Sequence, residues 1–168
     1  MRGAFCRPAA LARFFLTALV GIALDLWTKH VAFNTPSLAT RPYPFIPGWL
    51  EFEMVKNQGA VFGLGQGQRI LFVGVSIGAI IFLVYLFAVS GRRAIYQILL
   101  GMLLAGVAGN LYDRLVFGYV RDMIHVFPAW PNLFKWVFNV ADSLLCVGVA
   151  LMILYNMFSQ RKKREPAP

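Results

Sequence analysis

Four apolar stretches in this 168-residue chain are each long enough to cross a bilayer as a helix, which takes about 20 residues. They fall near residues 12–33, 70–90, 94–117 and 134–158. Where lipid replaces water, backbone N–H and C=O groups must pair within the segment, so helices are the expected form. Hydrophobic residues make up 59% of the chain and charged ones only 14%, which excludes an ordinary soluble globule. The first stretch has the look of a cleavable signal segment. Asp25 and Lys29 interrupt it, however, and three more spans follow, so it reads as retained.

A formal charge of +9 would suit a nucleic-acid partner if the bases were gathered on one surface. They are not. Nine of the sixteen Lys and Arg residues lie in the N-terminal tail, the Arg92-Arg93 connection and the C-terminal tail, with Glu165 the single acid among them. The remaining segments hold seven bases against six acids. This is positive-inside asymmetry, which puts both tails and the 90–93 turn in the cytoplasm and the connections 34–69 and 118–133 outside. One integral membrane domain over 1–168, with no nucleic-acid partner, is the expected organisation. Cys6 and Cys146 lie in a tail and an apolar run, and make no disulfide framework.

The outer connections carry structure of their own. In the first, Pro36, Pro42, Pro44 and Pro47 are followed by alternation over Trp49 to Val55, the pattern of a half-exposed strand. Gly59, Gly63, Gly65 and Gly67 then supply turns. A small sheet on the membrane surface follows, with Trp49, Phe52 and Phe62 as interfacial anchors. The second, with Pro128, Trp130 and Pro131, reads as another interfacial element, and the last ten residues as a frayed polar tail.

Against this background four aspartates stand out, because a charge near the bilayer core costs several kcal/mol by most estimates. The topology gathers Asp25, Asp113, Asp122 and Asp142 at one depth near the outer face. Asp25 and Lys29, four apart, share a helix face and form either a buried ion pair or a substrate contact. Asn110 and Asp113 also face one way, and the adjacent Arg114 keeps Asp113 ionised, which suits a structural role. Asp142 has no base within a helical turn, and Arg121 beside Asp122 points elsewhere. Two carboxylates brought close together share one proton, so that the ionised member takes a proton from water while the protonated one polarises a carbonyl. Helix capping and pairing in a transporter or scaffold is the alternative.

Other catalytic patterns are weaker. Gly74-Val75-Ser76-Ile77-Gly78 has nucleophile-elbow spacing but lies within a span, where its glycines fit a helix contact better. His30 and His125 are the only histidines, with no His-Glu-x-x-His helix, so no metal is expected. Asp122 and His125, three apart, are a weak cation pair. The Gly63–Gly67 run follows no βαβ unit and supports no dinucleotide site.

Five blocks in order carry a resemblance: Asp25-Leu-Trp-Thr-Lys29, Asn57-Gln-Gly59-Ala60-Val-Phe62, Gly109-Asn110-Leu-Tyr-Asp113-Arg114, Val120-Arg-Asp122 and Phe138-Asn139-Val-Ala141-Asp142. On a four-span plan they resemble the bacterial lipoprotein signal peptidases (signal peptidase II). The resemblance implies a mainly α membrane fold: four transmembrane helices, a small outer β-cradle and a short interfacial helix. It implies an aspartic endopeptidase of the bacterial inner membrane, without cofactor, that cuts before the lipidated cysteine of diacylglyceryl-modified prolipoproteins. Asp122 and Asp142 match its catalytic pair. Asn57, Asn110, Arg114 and Asn139 match positions that hold substrate or the antibiotic globomycin, and Gly59 belongs to the same loop motif. Asp25, Lys29 and Asp113 match supporting positions. Val61 departs from the small residue usual in the loop motif.

Overall fold

The computed structural model describes residues 4–59, 67–132 and 136–164. Phe62, Gly63, Gly65, and the Ala60–Phe62 part of the loop motif with its Val61, lie outside these. Among the described residues four helices are long and apolar enough to cross a membrane: Pro8–Asn34, Arg69–Ala88, Ala94–Val116 and Val140–Ser159. The first is a continuous rod of α1 (Pro8–Leu11), a π-helical stretch Ala12–Leu16 and α2 (Thr17–Asn34). After it come α3 (Pro36–Thr40), strands β1 (Tyr43–Ile46) and β2 (Leu50–Asn57), α4 (Arg69–Ala88), α5 (Ala94–Val116), β3 (Val120–Val126), β4 (Val137–Phe138) and α6 (Val140–Arg164).

Two expectations about these elements need correcting. The fourth span starts at Val140 rather than near 134, because Val137 and Phe138 pair with His125 and Ile124 as β4. Apolarity alone does not separate a short strand from a helix. The same helix continues to Arg164, through half of the expected frayed tail. The second outer connection supplies a strand, β3, and turns, and a short helix, α3, lies in the first connection. Pro36 opens it, with Thr35 extended before it, because proline fits the first helical turn where its missing N–H is not needed.

The sheet is antiparallel with order β1-β2-β3-β4, so both outer connections contribute to it. Val55 stands opposite Asp122 and Asn57 opposite Val120. Of the expected anchors, Trp49 stays 56% exposed while packing edge-on to Trp130. Phe52 is half-buried against Phe45 instead.

Helix α5 is the centre of the bundle, packed against α2, α4 and α6. Its buried residues include a series four apart, Gln97, Gly101, Ala105, Gly109 and Asp113. Gly106 lets α6 come close, since a Cβ there would stand 2.6 Å from the Ala141 carbonyl oxygen. Gly74 and Gly78 of α4, read as contact residues, instead face open space, with nothing within 4 Å of a Cβ at either. Most of α4 exposes apolar side chains such as Ile70, Val75 and Ile81, a surface matched to lipid. At the end of the bundle away from the sheet Phe14 stacks on Phe87 at 4.3 Å between ring centroids. Buried Gln97 there accepts from Arg13 Nη1 and donates to Ser90 Oγ and the Gly91 carbonyl, which fixes the α4–α5 turn.

Candidate active site

At the end of the bundle that carries the sheet, the polar residues that the sequence scatters over 118 positions join in one network. Its base is Lys29, fully buried in α2. Its Nζ donates to Asp25 Oδ2 at 2.8 Å and Asn110 Oδ1 at 3.1 Å, and lies 3.1 Å from Asp113 Oδ2. All three ammonium hydrogens are thereby used, so the Asp25–Lys29 pair is a buried structural pair. Asp25 Oδ1 also accepts the Ala141 N–H, which satisfies a buried amide in the first turn of α6 that has no partner within the helix.

Asp113 is held differently from the sequence expectation. Its partner is Arg121 rather than Arg114. Arg121 gives Asp113 three bonds: its backbone N–H to Oδ2 at 2.9 Å, and Nε and Nη2 to Oδ1 at 3.1 and 2.8 Å. Strand alternation in β3 explains this, because it turns Arg121 and Asp122 to opposite faces. Arg114 instead reaches the first outer connection, donating from Nη2 to the Gly59 carbonyl at 2.9 Å, with its guanidinium 5.3 Å above the Phe72 ring. Gly59 N–H in turn donates to Asn57 Oδ1 at 2.9 Å, closing a turn that aims the Asn57 amide at Asp122.

Asp122 and Asp142 meet around Asn139. Asn139 Nδ2 donates to Asp122 Oδ1 at 2.6 Å and to Asn110 Oδ1 at 3.1 Å. Its Oδ1 accepts the Asp142 N–H at 2.9 Å, and its own N–H donates to Asp142 Oδ2 at 3.3 Å. The last two bonds form a reciprocal cap at the start of α6, so the capping role raised as an alternative is real and coexists with the approach of the carboxylates. Asn110 Nδ2 supplies Asp142 Oδ1 at 2.8 Å, and Asn57 Nδ2 supplies Asp122 Oδ2 at 3.0 Å. Every oxygen of the two carboxylates thus accepts one amide hydrogen and keeps a further lone pair.

Asp122, only 1% exposed, is pushed from the usual 3.8 up to about 7. Burial is the main cause and the Asp142 carboxylate adds to it, while the bonds from Asn57 and Asn139 act the other way. A cavity of about 200 Å³ opens beside the pair, bounded by Asp142, Asn110, Arg114, Asn57 and the α4 residues Phe72 and Val75. One wall is polar and the other apolar, as an extended peptide with lipid-facing side chains requires.

The weaker patterns fall apart. Ser76 lies within α4 and donates to the Phe72 carbonyl one turn back. His125 turns away from Asp122: its Nδ1 lies 2.9 Å from Glu51 Oε1 and 3.0 Å from Glu53 Oε2. Among the described residues that trio is the group with metal-ligating atoms close together, within 4.8 Å of one another, and it includes neither aspartate. Sequence reasoning missed Arg121 as the partner of Asp113 and the position of Asn139 between the carboxylates. The alternation of β3 carried the first signal. The Asn-x-x-Asp spacing, that of a reciprocal cap, carried the second.

Comparison with known proteins gives the chain a family. A family model described as signal peptidase (SPase) II, peptidase A8, matches residues 17–158. A lipoprotein signal peptidase of Enterococcus faecalis is 33% identical over 157 residues, covering 92% of this chain and 94% of its own. One of Neisseria gonorrhoeae is 30% identical, with 91% and 94% covered. A solved structure described as a bacterial membrane enzyme superposes with a TM-score of 0.76 at 30% identity, over 91% of this chain and 92% of that one. Four apolar spans, a small antiparallel sheet and these matches make the chain a multi-pass membrane protein that belongs to the signal peptidase II family.

Proposed function

We propose that this chain is an aspartic endopeptidase of the bacterial cytoplasmic membrane that removes signal peptides from diacylglyceryl-modified prolipoproteins, with Asp122 and Asp142 as its catalytic pair. Family membership supports the peptidase activity. The observation that carries the residue assignment is the bridging of both carboxylates by Asn139, at the edge of a groove that Asp142 lines.

In this reading, a water between the pair loses a proton to the ionised carboxylate while its oxygen attacks the scissile carbonyl. The protonated carboxyl hydrogen-bonds the carbonyl oxygen and gives up its proton, producing a tetrahedral diol. A proton from one carboxyl then passes to the amide nitrogen while the other, ionised carboxylate takes a proton from a diol hydroxyl; the C–N bond breaks, and the released amine carries the lipidated cysteine. Asp122, raised to about 7, suits the proton-carrying side of a pair that titrates together. Asn57, Gly59, Asn110, Arg114 and Asn139 border the groove or hold its walls, and these residues bind the peptide or a peptide-like inhibitor such as globomycin. Asp25, Lys29 and Asp113 support them from below. Both termini are cytoplasmic and the pair lies near the outer face, where water reaches it from outside and acyl chains remain in lipid.

Asp122→Asn and Asp142→Asn each test the assignment, because asparagine keeps the shape but exchanges no proton. Both purified variants are expected to fold and to lose cleavage of a lipidated precursor. A folded Asp142→Asn protein with wild-type turnover would falsify the pair.

A further inference from the structure

A second cavity, of about 870 Å³, lies between the outer end of α2 and the sheet. It shares no lining residue with the groove beside Asp142. We propose that it binds the phosphate headgroup of an anionic phospholipid.

The charge of the lining is one-sided. Lys56 and Arg121 border the cavity and no carboxylate does. The Lys56 ammonium lies 5.3 Å from the Tyr119 ring centroid, and no carboxylate among the described residues is paired with it. Arg121 spends Nε and Nη2 on Asp113 and stacks at 4.3 Å on Phe117, which leaves Nη1 outside those two bonds.

His30 adds a neutral donor. Asn34 Nδ2 donates to the His30 carbonyl at 2.8 Å and lies 3.0 Å from His30 Nδ1. The bond to the carbonyl identifies that amide atom as the NH₂, so Nδ1 accepts. In the neutral ring the proton is then on Nε2, which is left to donate to an anion.

Depth selects the kind of ligand. Asn34 ends the first span, so the cavity sits where hydrocarbon gives way to headgroups. Phe33 and Phe117 form its apolar side and Lys56 its polar one. A phosphodiester with acyl chains below it meets both sides, whereas free phosphate meets only the second. A zwitterionic headgroup brings an amine as well, and the lining offers that amine no carboxylate. An uncharged glycerol headgroup avoids that mismatch. The site is independent of the proteolytic assignment, because none of its residues acts in the proposed cleavage.

The test is native mass spectrometry of the full chain in detergent, with phosphatidylglycerol and phosphatidylcholine of equal chain length in competition. Wild type is expected to retain phosphatidylglycerol preferentially by about fivefold, the gain from one cation near a phosphate. Lys56→Gln should abolish the preference and Lys56→Arg should keep it. His30→Phe, on a different element, should weaken it and serves if Lys56→Gln does not fold. Equal retention of the two lipids by wild type overturns the proposal. So does a preference that survives both Lys56→Gln and His30→Phe, which would place it at the basic tails. Displacement of the lipid by inorganic phosphate alone would overturn the assignment to a phospholipid.

Discussion

Asp113 and Asp122 are both buried carboxylates, yet their neighbours give them opposite chemistry. Asp113 is surrounded by Lys29 and Arg121, with two cations and a backbone amide against its two oxygens. Asp113→Ala would leave Arg121 buried without its carboxylate and Lys29 with Asp25 alone, a loss of about 3–5 kcal/mol for a pair broken on one side. A strong fall in melting temperature in detergent is the expected result, and a melting point within a degree of wild type would contradict it. Asp122 faces another carboxylate, and as the proton carrier of the proposed cleavage its value of about 7 would set a pH limb on activity. A carboxyl required in protonated form is lost as pH rises through that value, so kcat/KM should fall roughly tenfold per pH unit above about 8. A rate still rising at pH 9 would remove Asp122 as the proton carrier. Both aspartates were legible in the sequence, because a carboxylate in an apolar chain needs a reason. The partner of Asp113 was not. The helix-adjacent Arg114 is nearer in sequence, and choosing Arg121 requires knowing that residues 120–126 form a strand.

At the scale of elements, the site depends on how closely α2, α5 and α6 approach. Gly109 of α5 faces the Asp25 carboxyl, and an added Cβ there would fall on Asp25 Oδ2. In an isolated helix Gly→Ala would stabilise by about 1 kcal/mol. Here Asp25 cannot give way, because Lys29 and the Ala141 N–H hold its two oxygens. Gly109→Ala is therefore expected to destabilise the protein by about 1–3 kcal/mol, the usual range for overpacking. It should also lower cleavage, because Ala141 begins the helix that carries Asp142. Higher stability with unchanged activity would show that the close approach is dispensable. The four spans were legible from hydropathy and the β2 strand from its alternation over Trp49 to Val55. The start of α6 was not, since Val137 and Phe138 are as apolar as a helix and become a strand only through pairing with β3. Nor was the open side of α4, because glycines four apart read alike whether they face a helix or lipid.

For the molecule as a whole, the described residues include no soluble domain that could capture a peptide, and the groove opens among apolar helices. The apolar core of a signal peptide can lie in the bilayer beside α4, whose outward face is largely Ile, Val, Leu and Phe. Such cores occur on ordinary secreted precursors too, so they do not discriminate. In the proposed reaction a diacylglyceryl group on the cysteine does. Its acyl chains remain in lipid, where each buried methylene contributes about 0.8 kcal/mol, and two chains hold the cysteine backbone at a fixed depth. The aspartate pair is itself fixed in depth, by Asn139 at the start of α6 and by β3 across the bundle end. Matching the two depths converts a search along the membrane normal into a preset orientation, which lowers the barrier to attack. A lipidated precursor should therefore be cut, and the same precursor without its lipid should be cut at least about a hundredfold more slowly in kcat/KM, since orientation effects reach several kcal/mol. The measurement is a side-by-side assay in detergent micelles with both precursors at equal concentration. Comparable rates would sink depth anchoring while leaving the aspartate pair intact, and loss of both activities in Asp142→Asn would show that one site cuts either precursor.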